Sequence, residues 1–335
     1  MKFKCECGQT LATDESAIGM MVECPTCKRR LQVPTGDASN VIRSPAPPPP
    51  TSGLRAMPPP VEARPPAPES EAQPAMASGD ALVSSGEKKA FRILLFVSVP
   101  ALAILLALVV VTFGSLLVVI GLFVLLGWLV GQFAAAHVRA NAIRVSERQQ
   151  PELHKIVTTF AASEGKPAPE VYILQGNAWN AMAMRFAGAR MVVLLSGAVD
   201  SLLLKGDMRQ VAWLVGHELG HHFAGHLDFK RRVFVNAGML FPWLVLWYRR
   251  QCELTCDRYG LACAGSAMAA MRALANMAAG AQLGPKVDAA AAVEQWVQCR
   301  GGFFVRLRTL YSTHPHVLCR IAETAASARE LNVPA

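Results

Sequence analysis

His217-Glu218-Leu219-Gly220-His221 is the stretch on which the reading of this chain turns. On a helix, positions 217 and 221 are one turn apart, so both imidazoles leave the same face about 6 Å from each other and can share one metal ion. Glu218 sits roughly 100° round the helix from His217. That is too far for an equivalent ligand and near enough to reach a metal-bound water as a general base. A polar helix with scattered histidines is the plain alternative. A third ligand from another segment separates the two readings, because a catalytic zinc of the two-histidine, one-carboxylate kind keeps its fourth position open. Glu253, in Cys252-Glu253-Leu254-Thr255-Cys256-Asp257, is the candidate. Asp257 stands at i+4 from it on the same expected helix, placed to hold the distal ring nitrogen of a ligating histidine. The competing reading of that pair is a solvated acidic face.

Three motifs in order carry a resemblance. HELGHH at 217–222, ELTCDR at 253–258, and Ser312-Thr313-His314-Pro315 followed by Arg320-Ile321 resemble the metallopeptidase family of HtpX and the CAAX prenyl protease, with its HExxH, ExxxD and late HPxxxxR motifs. Pro151-Glu152-Leu153 and Asn177-Ala178-Trp179, the latter similar to the family's NAF-type segment, extend the resemblance over about residues 147–330. It implies a zincin-like zinc metalloendopeptidase acting on a polypeptide, with zinc on His217, His221 and Glu253, Glu218 as base and Asp257 behind a ligand. It also implies His314 and Arg320 as oxyanion donors, Pro315 starting the helix that carries Arg320 inward, and Asn177 and Ala178 as substrate contacts. For Arg320 a salt bridge to Asp257 or Glu323 competes. His222 and His226 are expected at the surface or behind the ligands, and His137 and His154 at headgroup level or exposed.

The four N-terminal cysteines have a different pattern. Cys5 and Cys7 form CxC, Cys24 and Cys27 form CxxC, and paired thiolates at such spacings are the signature of a closed structural zinc site. Residues 1–36 therefore read as a zinc ribbon, a module for a protein partner, and the cofactor expectation is one catalytic and one structural zinc. Two disulfides are the alternative. Against them, Cys252, Cys256, Cys263, Cys299 and Cys319 are an odd set amid apolar residues, as buried thiols in a reducing cytosol are. The net charge of +9 raises nucleic acid as a partner. However, the ribbon lacks alternating basic and aromatic residues beyond Lys28-Arg29-Arg30, and nucleic acid is not expected.

Residues 37–88 are rich in proline, alanine and serine and read as a disordered tether. Residues 89–136 follow as a transmembrane helical hairpin. Phe91–Phe113 and Ser115–Phe133 are each long enough to cross about 30 Å of hydrocarbon, with Gly114 at the break. Lys88, Lys89, Arg92, Arg139, Arg144 and Arg148 flank the pair, which places both ends in the cytosol, at an inner membrane, by the positive-inside rule. Met1–Asn40 shows no secretory signal.

Within 147–330 the expected fold is mostly α with a small sheet, an α+β domain. Val171–Leu174 and Met191–Leu195 are the expected strands. The second, centred on Val193, reads either as an edge strand that pairs with substrate or as an ordinary core strand. Val233–Tyr248, apolar with Pro242 inside, cannot cross the membrane once without separating His217 and His221 from Glu253. It is a buried helix or a wedge into the interface. A catalytically inert membrane scaffold is the rival to the enzyme reading, and the intact Glu218 argues against it.

Overall fold

The structure, a computed structural model, describes residues 2–4, 10–12, 21–26, 30–32, 78–176, 181–186, 189–204 and 207–334. The chain divides into two compact units, 1–69 and 70–335. In the first, β1 (Lys2–Lys4) pairs antiparallel with β2 (Thr10–Ala12), and β3 (Met21–Glu23) with β4 (Arg30–Gln32). Cys24 follows β3, is fully buried, and precedes a turn at Pro25-Thr26. Cys5, Cys7 and Cys27, with most of the expected tether, lie outside the described residues.

The second unit is helical around one small sheet. α1 (Ser85–Val111) is capped by Ser84, whose hydroxyl accepts the Glu87 N–H, and α2 (Ser115–Asn141) returns beside it. The break falls on Gly114 at φ +79°, a left-handed conformation that costs glycine no steric penalty. β5 (Ile143–Arg144), α3 (Pro151–Ser163), β6 (Glu170–Leu174), β7 (Ala181–Phe186) and β8 (Ala189–Leu195) follow. Helices α4 (Ser196–Leu204), α5 (Met208–Phe223), α6 (Phe229–Ala237) and α7 (Pro242–Ala264) come next. The chain ends with α8 (Ala267–Leu283), α9 (Ala289–Cys299), α10 (Phe303–Leu310) and α11 (Val317–Glu330).

The sheet order is β5-β6-β8-β7, with β6 and β8 parallel and the other neighbours antiparallel. Side chains alternate along β8 as the strand period requires. Val192 and Leu194 enter the main core with Trp213, Leu219 and Tyr259, whereas Met191 and Val193 pack under the foot of α2 on Ala135 and Val138. The edge-strand reading of Val193 is thereby corrected: β8 is paired on both sides and Val193 is buried. β5 and β7 are the edge strands.

Two further boundaries differ from expectation. The tether ends before Ser78, because Leu82 is fully buried in the main core and Arg258 donates to the carbonyls of Ala81 and Leu82. The hairpin helices are longer than 89–136, and the first part of α1 belongs to the body of the domain. Ala90 and Leu94 pack against Val245, Tyr248 and Cys252 of α7, and Ser98 Oγ donates to the Phe234 carbonyl of α6 at 2.7 Å. Beyond Ser98 the pair is largely bare, with Leu106 66% and Phe123 69% exposed, and both helices are long and apolar enough to cross a membrane.

Val233–Tyr248 is neither one crossing nor one helix. α6 and α7 meet at an elbow, with Pro242 at the first turn of α7 where its missing N–H leaves no hydrogen bond unmade. Met239, Leu240, Phe241 and Trp243 are exposed at its tip.

Candidate active site

The site is built where α5 and α7 cross almost in contact. A Cβ on Gly216 would lie 2.4 Å from Cys263 Cβ, one on Gly220 3.1 Å from Cys256 Cα, and one on Gly260 2.7 Å from the Trp213 carbonyl. Glycine at these positions lets the two backbones approach, and that approach carries Glu253 to the histidines. Asp207 caps α5 by accepting the N–H groups of Arg209 and Gln210.

His217 Nε2 stands 3.4 Å from one Glu253 oxygen, and His221 Nε2 stands 3.7 Å from the other. Donors at 2.0–2.2 Å from a tetrahedral zinc are separated by about 3.3 Å, so these atoms fit one zinc ion with little adjustment. Cys256, whose sulfur also lies near both histidines, is the rival third ligand. Its sulfur is 3.6 Å from His226 Nδ1, and it is fully buried. Burial pushes its thiol well above the usual cysteine range, which disfavours the thiolate that a metal ligand must be.

Behind the site, His217 Nδ1 lies 3.0 Å from Asp257 Oδ1, and Arg320 grips Asp257 with Nε at 2.8 Å and Nη2 at 2.6 Å. Arg320 is 5% exposed and its guanidinium stacks near Trp213. Arg320, expected as an oxyanion donor or as a salt-bridge partner, lines the cavity and is ion-paired. The competing salt bridge to Asp257 is what forms, and Arg320 holds the carboxylate that orients His217. Its helix begins at Val317, two residues after Pro315. His314, with 63% of its side chain exposed, sits at the rim with Nε2 3.6 Å from Glu253.

Electrostatics sort these groups. Glu218 is deeply buried, and burial with the Glu253 charge nearby pushes its carboxyl up to about 7 despite the opposing charges of His217 and Arg320. Its carboxyl also accepts the Ala183 N–H of β7. For His217, burial disfavours the cation, but Asp257 and Glu253 outweigh it and raise the group to about 9. Burial takes His221 the other way, down to about 3. Asp257 is buried too, yet Arg320 holds it below the usual carboxylate range.

His217, Glu218, His221, Glu253, His314 and Arg320 line a cavity of about 330 Å³ with Ala181–Ala183 of β7 on one wall, and Trp213, Leu227 and Met277 among the rest of its lining. Peptidase family M48 matches this chain over residues 147–231 and 228–328. The chain belongs to peptidase family M48. M48 metallopeptidases are zinc-dependent, in keeping with the donor set here. The chain is 32% identical over 109 residues, 32% of its length, to a protein named Protease HtpX homolog from Bifidobacterium longum, covering 34% of that protein. It is 26% identical over 170 residues, 47% of its length, to Plastoglobule-localized metallopeptidase 48, chloroplastic, from Arabidopsis thaliana, covering 48% of it. A Protease HtpX homolog from Thermodesulfovibrio yellowstonii is 33% identical over 81 residues, 24% of this chain and 28% of that protein. The chain thus spans between about a quarter and a half of these relatives' length. No solved structure matches it.

Of the expected site residues, the M48 core brings together His217, Glu218, His221, Glu253, Asp257, His314 and Arg320. Asn177 and Ala178 lie outside the described residues. His222 is buried, its Nε2 3.1 Å from the Met191 carbonyl. His226 is not at the surface: its side chain is 6% exposed, 3.1 Å from Glu87. Sequence reading missed Glu87 because Ser84-Ser85-Gly86-Glu87 has the form of a capping box, which explains a glutamate without any site.

Proposed function

We propose that this chain is a membrane-anchored zinc metalloendopeptidase that hydrolyses peptide bonds with Glu218 as its base. The observation that carries the reading is the convergence of His217 Nε2, His221 Nε2 and Glu253 at the floor of a cavity walled by an open strand edge. His217, His221 and Glu253 would hold the zinc. When bound, zinc supplies a Lewis acid that polarises the scissile carbonyl and acidifies a water. Glu218 removes the proton from that water and returns it to the leaving amine, and a carboxyl near 7 is suited to both transfers. His314, exposed at the rim, is the donor available to the oxyanion, and Arg320 acts behind it through Asp257. An extended peptide joining β7 would gain main-chain hydrogen bonds beside Glu218.

Membrane-associated polypeptides are the substrate class this arrangement favours, with a role in membrane-protein quality control. The elbow between α6 and α7 is docked on α1 as far as Ser98, six residues or about 9 Å along the helix from Arg92. With Arg92 at the headgroups, the exposed Leu240, Phe241 and Trp243 enter the lipid. The basic flanks favour an inner-membrane protein with the peptidase domain in the cytosol. The ribbon, with a second zinc on Cys5, Cys7, Cys24 and Cys27, is a module for a protein partner. Its support is the paired cysteine spacing and the buried Cys24 next to a turn.

Detergent-solubilised protein should cleave an unstructured peptide, lose that activity to a zinc chelator and regain it on adding zinc. Chelator-resistant cleavage would rule the mechanism out.

A further inference from the structure

The second zinc ligand, His221, has no carboxylate on its distal nitrogen, whereas His217 has Asp257. Instead, His221 Nδ1 faces another imidazole nitrogen, His226 Nδ1, at 3.1 Å. Two nitrogens at that distance share one proton, so one must donate and the other accept. If Nε2 of His221 faces the metal, its Nδ1 carries the proton and His226 Nδ1 must accept it. The His226 proton is then on Nε2, and 3.1 Å from Nε2 lies Glu87 Oε2. The Glu87 side chain is 1% exposed, and its other oxygen takes Arg231 Nη1 at 2.8 Å. Arg231 also donates to the Ala224 carbonyl, just beyond the end of α5. Gly225, at φ +75°, turns the chain back so that the His226 N–H bonds the His221 carbonyl and its ring returns over His221.

We propose that Glu87 and His226 are positioning residues for the catalytic zinc. In this relay Glu87 sets the tautomer of His226, and His226 in turn sets the tautomer and orientation of His221. Glu87 is in the first turn of α1, so the relay ties the metal site to the start of the membrane hairpin. Cys256 Sγ, 3.6 Å from His226 Nδ1, is a weak donor to the same acceptor. Glu87, His226 and Cys252 also lie close enough to hold a metal themselves. The Arg231 cation on Glu87 disfavours a second cation there.

This inference rests on the zinc reading of His217, His221 and Glu253, and full-length protein in detergent separates the two. Zinc affinity is measured by competition with a chromophoric chelator, and the ion lost in His217→Ala defines the catalytic zinc. Wild-type binding by His217→Ala overturns the site reading and the relay together. With that ion lost, Glu87→Ala and His226→Phe should each weaken the catalytic zinc by about 10–100-fold, the range for removing a group behind a ligand. The double variant should be no weaker than the worse single one, because both break the same chain.

Glu87→Gln is the sharper variant. With its amide oxygen on Arg231, its NH2 faces His226 Nε2 and forces the wrong tautomer. This near-isosteric change should therefore weaken zinc as much as Glu87→Ala, while His226→Asn, which keeps an acceptor oxygen, should recover part of the affinity. Wild-type affinity in Glu87→Gln, or additive losses in the double variant, overturns the relay and leaves the zinc site standing. So does the loss of a whole zinc ion in Cys252→Ser, which would make the cluster a metal site. If His226→Phe does not fold, Glu87→Gln decides alone.

Discussion

At Glu218 the proposed function and stability oppose each other. Its carboxyl is raised from 4.5 to about 7 by burial, so between those values the folded protein binds a proton that the unfolded chain has released. Metal-free protein therefore loses stability as pH rises through this window, by about 3 kcal/mol in all. Glu218→Gln removes that penalty. Denaturant titration of the metal-free variant should show a gain of about 3 kcal/mol at pH 8 that disappears below pH 4.5, while turnover is abolished and zinc is retained. Equal stability of the two proteins at pH 8 would contradict the burial argument. Asp257 has the opposite sign. Arg320 lowers its pKa below 3.8, so the stability it contributes is complete above that value and is lost as pH falls below it. Asp257→Asn leaves the Arg320 charge buried without its partner and should cost about 3–5 kcal/mol, read from the denaturation midpoint.

At the scale of elements, the crossing of α5 and α7 is what makes a site of two separate motifs. Gly216, Gly220 and Gly260 are the points where no side chain fits between the helices. Gly260→Ala places a methyl against the Trp213 backbone, which cannot rotate away, and should destabilise by about 1–3 kcal/mol through overpacking. It should also weaken zinc, since α7 moves and Glu253 moves with it. Gly127→Ala in α2, where an added Cβ meets nothing within 4 Å, is the matched control and should change neither stability nor zinc content. Equal zinc affinity in Gly260→Ala and wild type would show that Glu253 is placed by something other than this crossing. The sheet supplies the other element-scale feature: β8 is sealed between β6 and β7, and of the two edge strands, β5 and β7, it is β7 that lines the cavity.

For the whole molecule, the expectation is two separable zinc-containing units joined through a membrane hairpin. Metal analysis should give about two zinc ions per chain, falling by about one when residues 1–36 are removed, with cleavage of a small peptide retained. Loss of all peptidase activity in that truncation would make the ribbon part of the catalytic unit. Single cysteines introduced by Asp80→Cys and Pro285→Cys into a cysteine-free variant should react with an impermeant reagent only after cell lysis. Labelling of position 285 in intact cells would put the catalytic domain on the other face of the membrane.

Local spacing made the candidate metal site legible in advance. Helix geometry alone sets His217 and His221 on one face, and likewise Glu253 and Asp257, because residues four apart neighbour each other whatever surrounds them. The hairpin was legible for a similar reason, since a long uncharged run broken at Gly114 has few other places to go. Partners chosen across the fold were not. Glu87 and His226 are 139 residues apart, and nothing in either segment names the other. That the Arg320 guanidinium meets Asp257, 63 residues away, follows from packing and not from either motif. The choice between edge and core for Val193 went to the core because strand order follows from non-local pairing, to which the apolar pattern of a single strand is blind. The sequence by itself determined which residues can bind zinc and move a proton. Tertiary structure decided which of them face the cavity, which orient the ligands from behind, and which strand edge is left for a substrate.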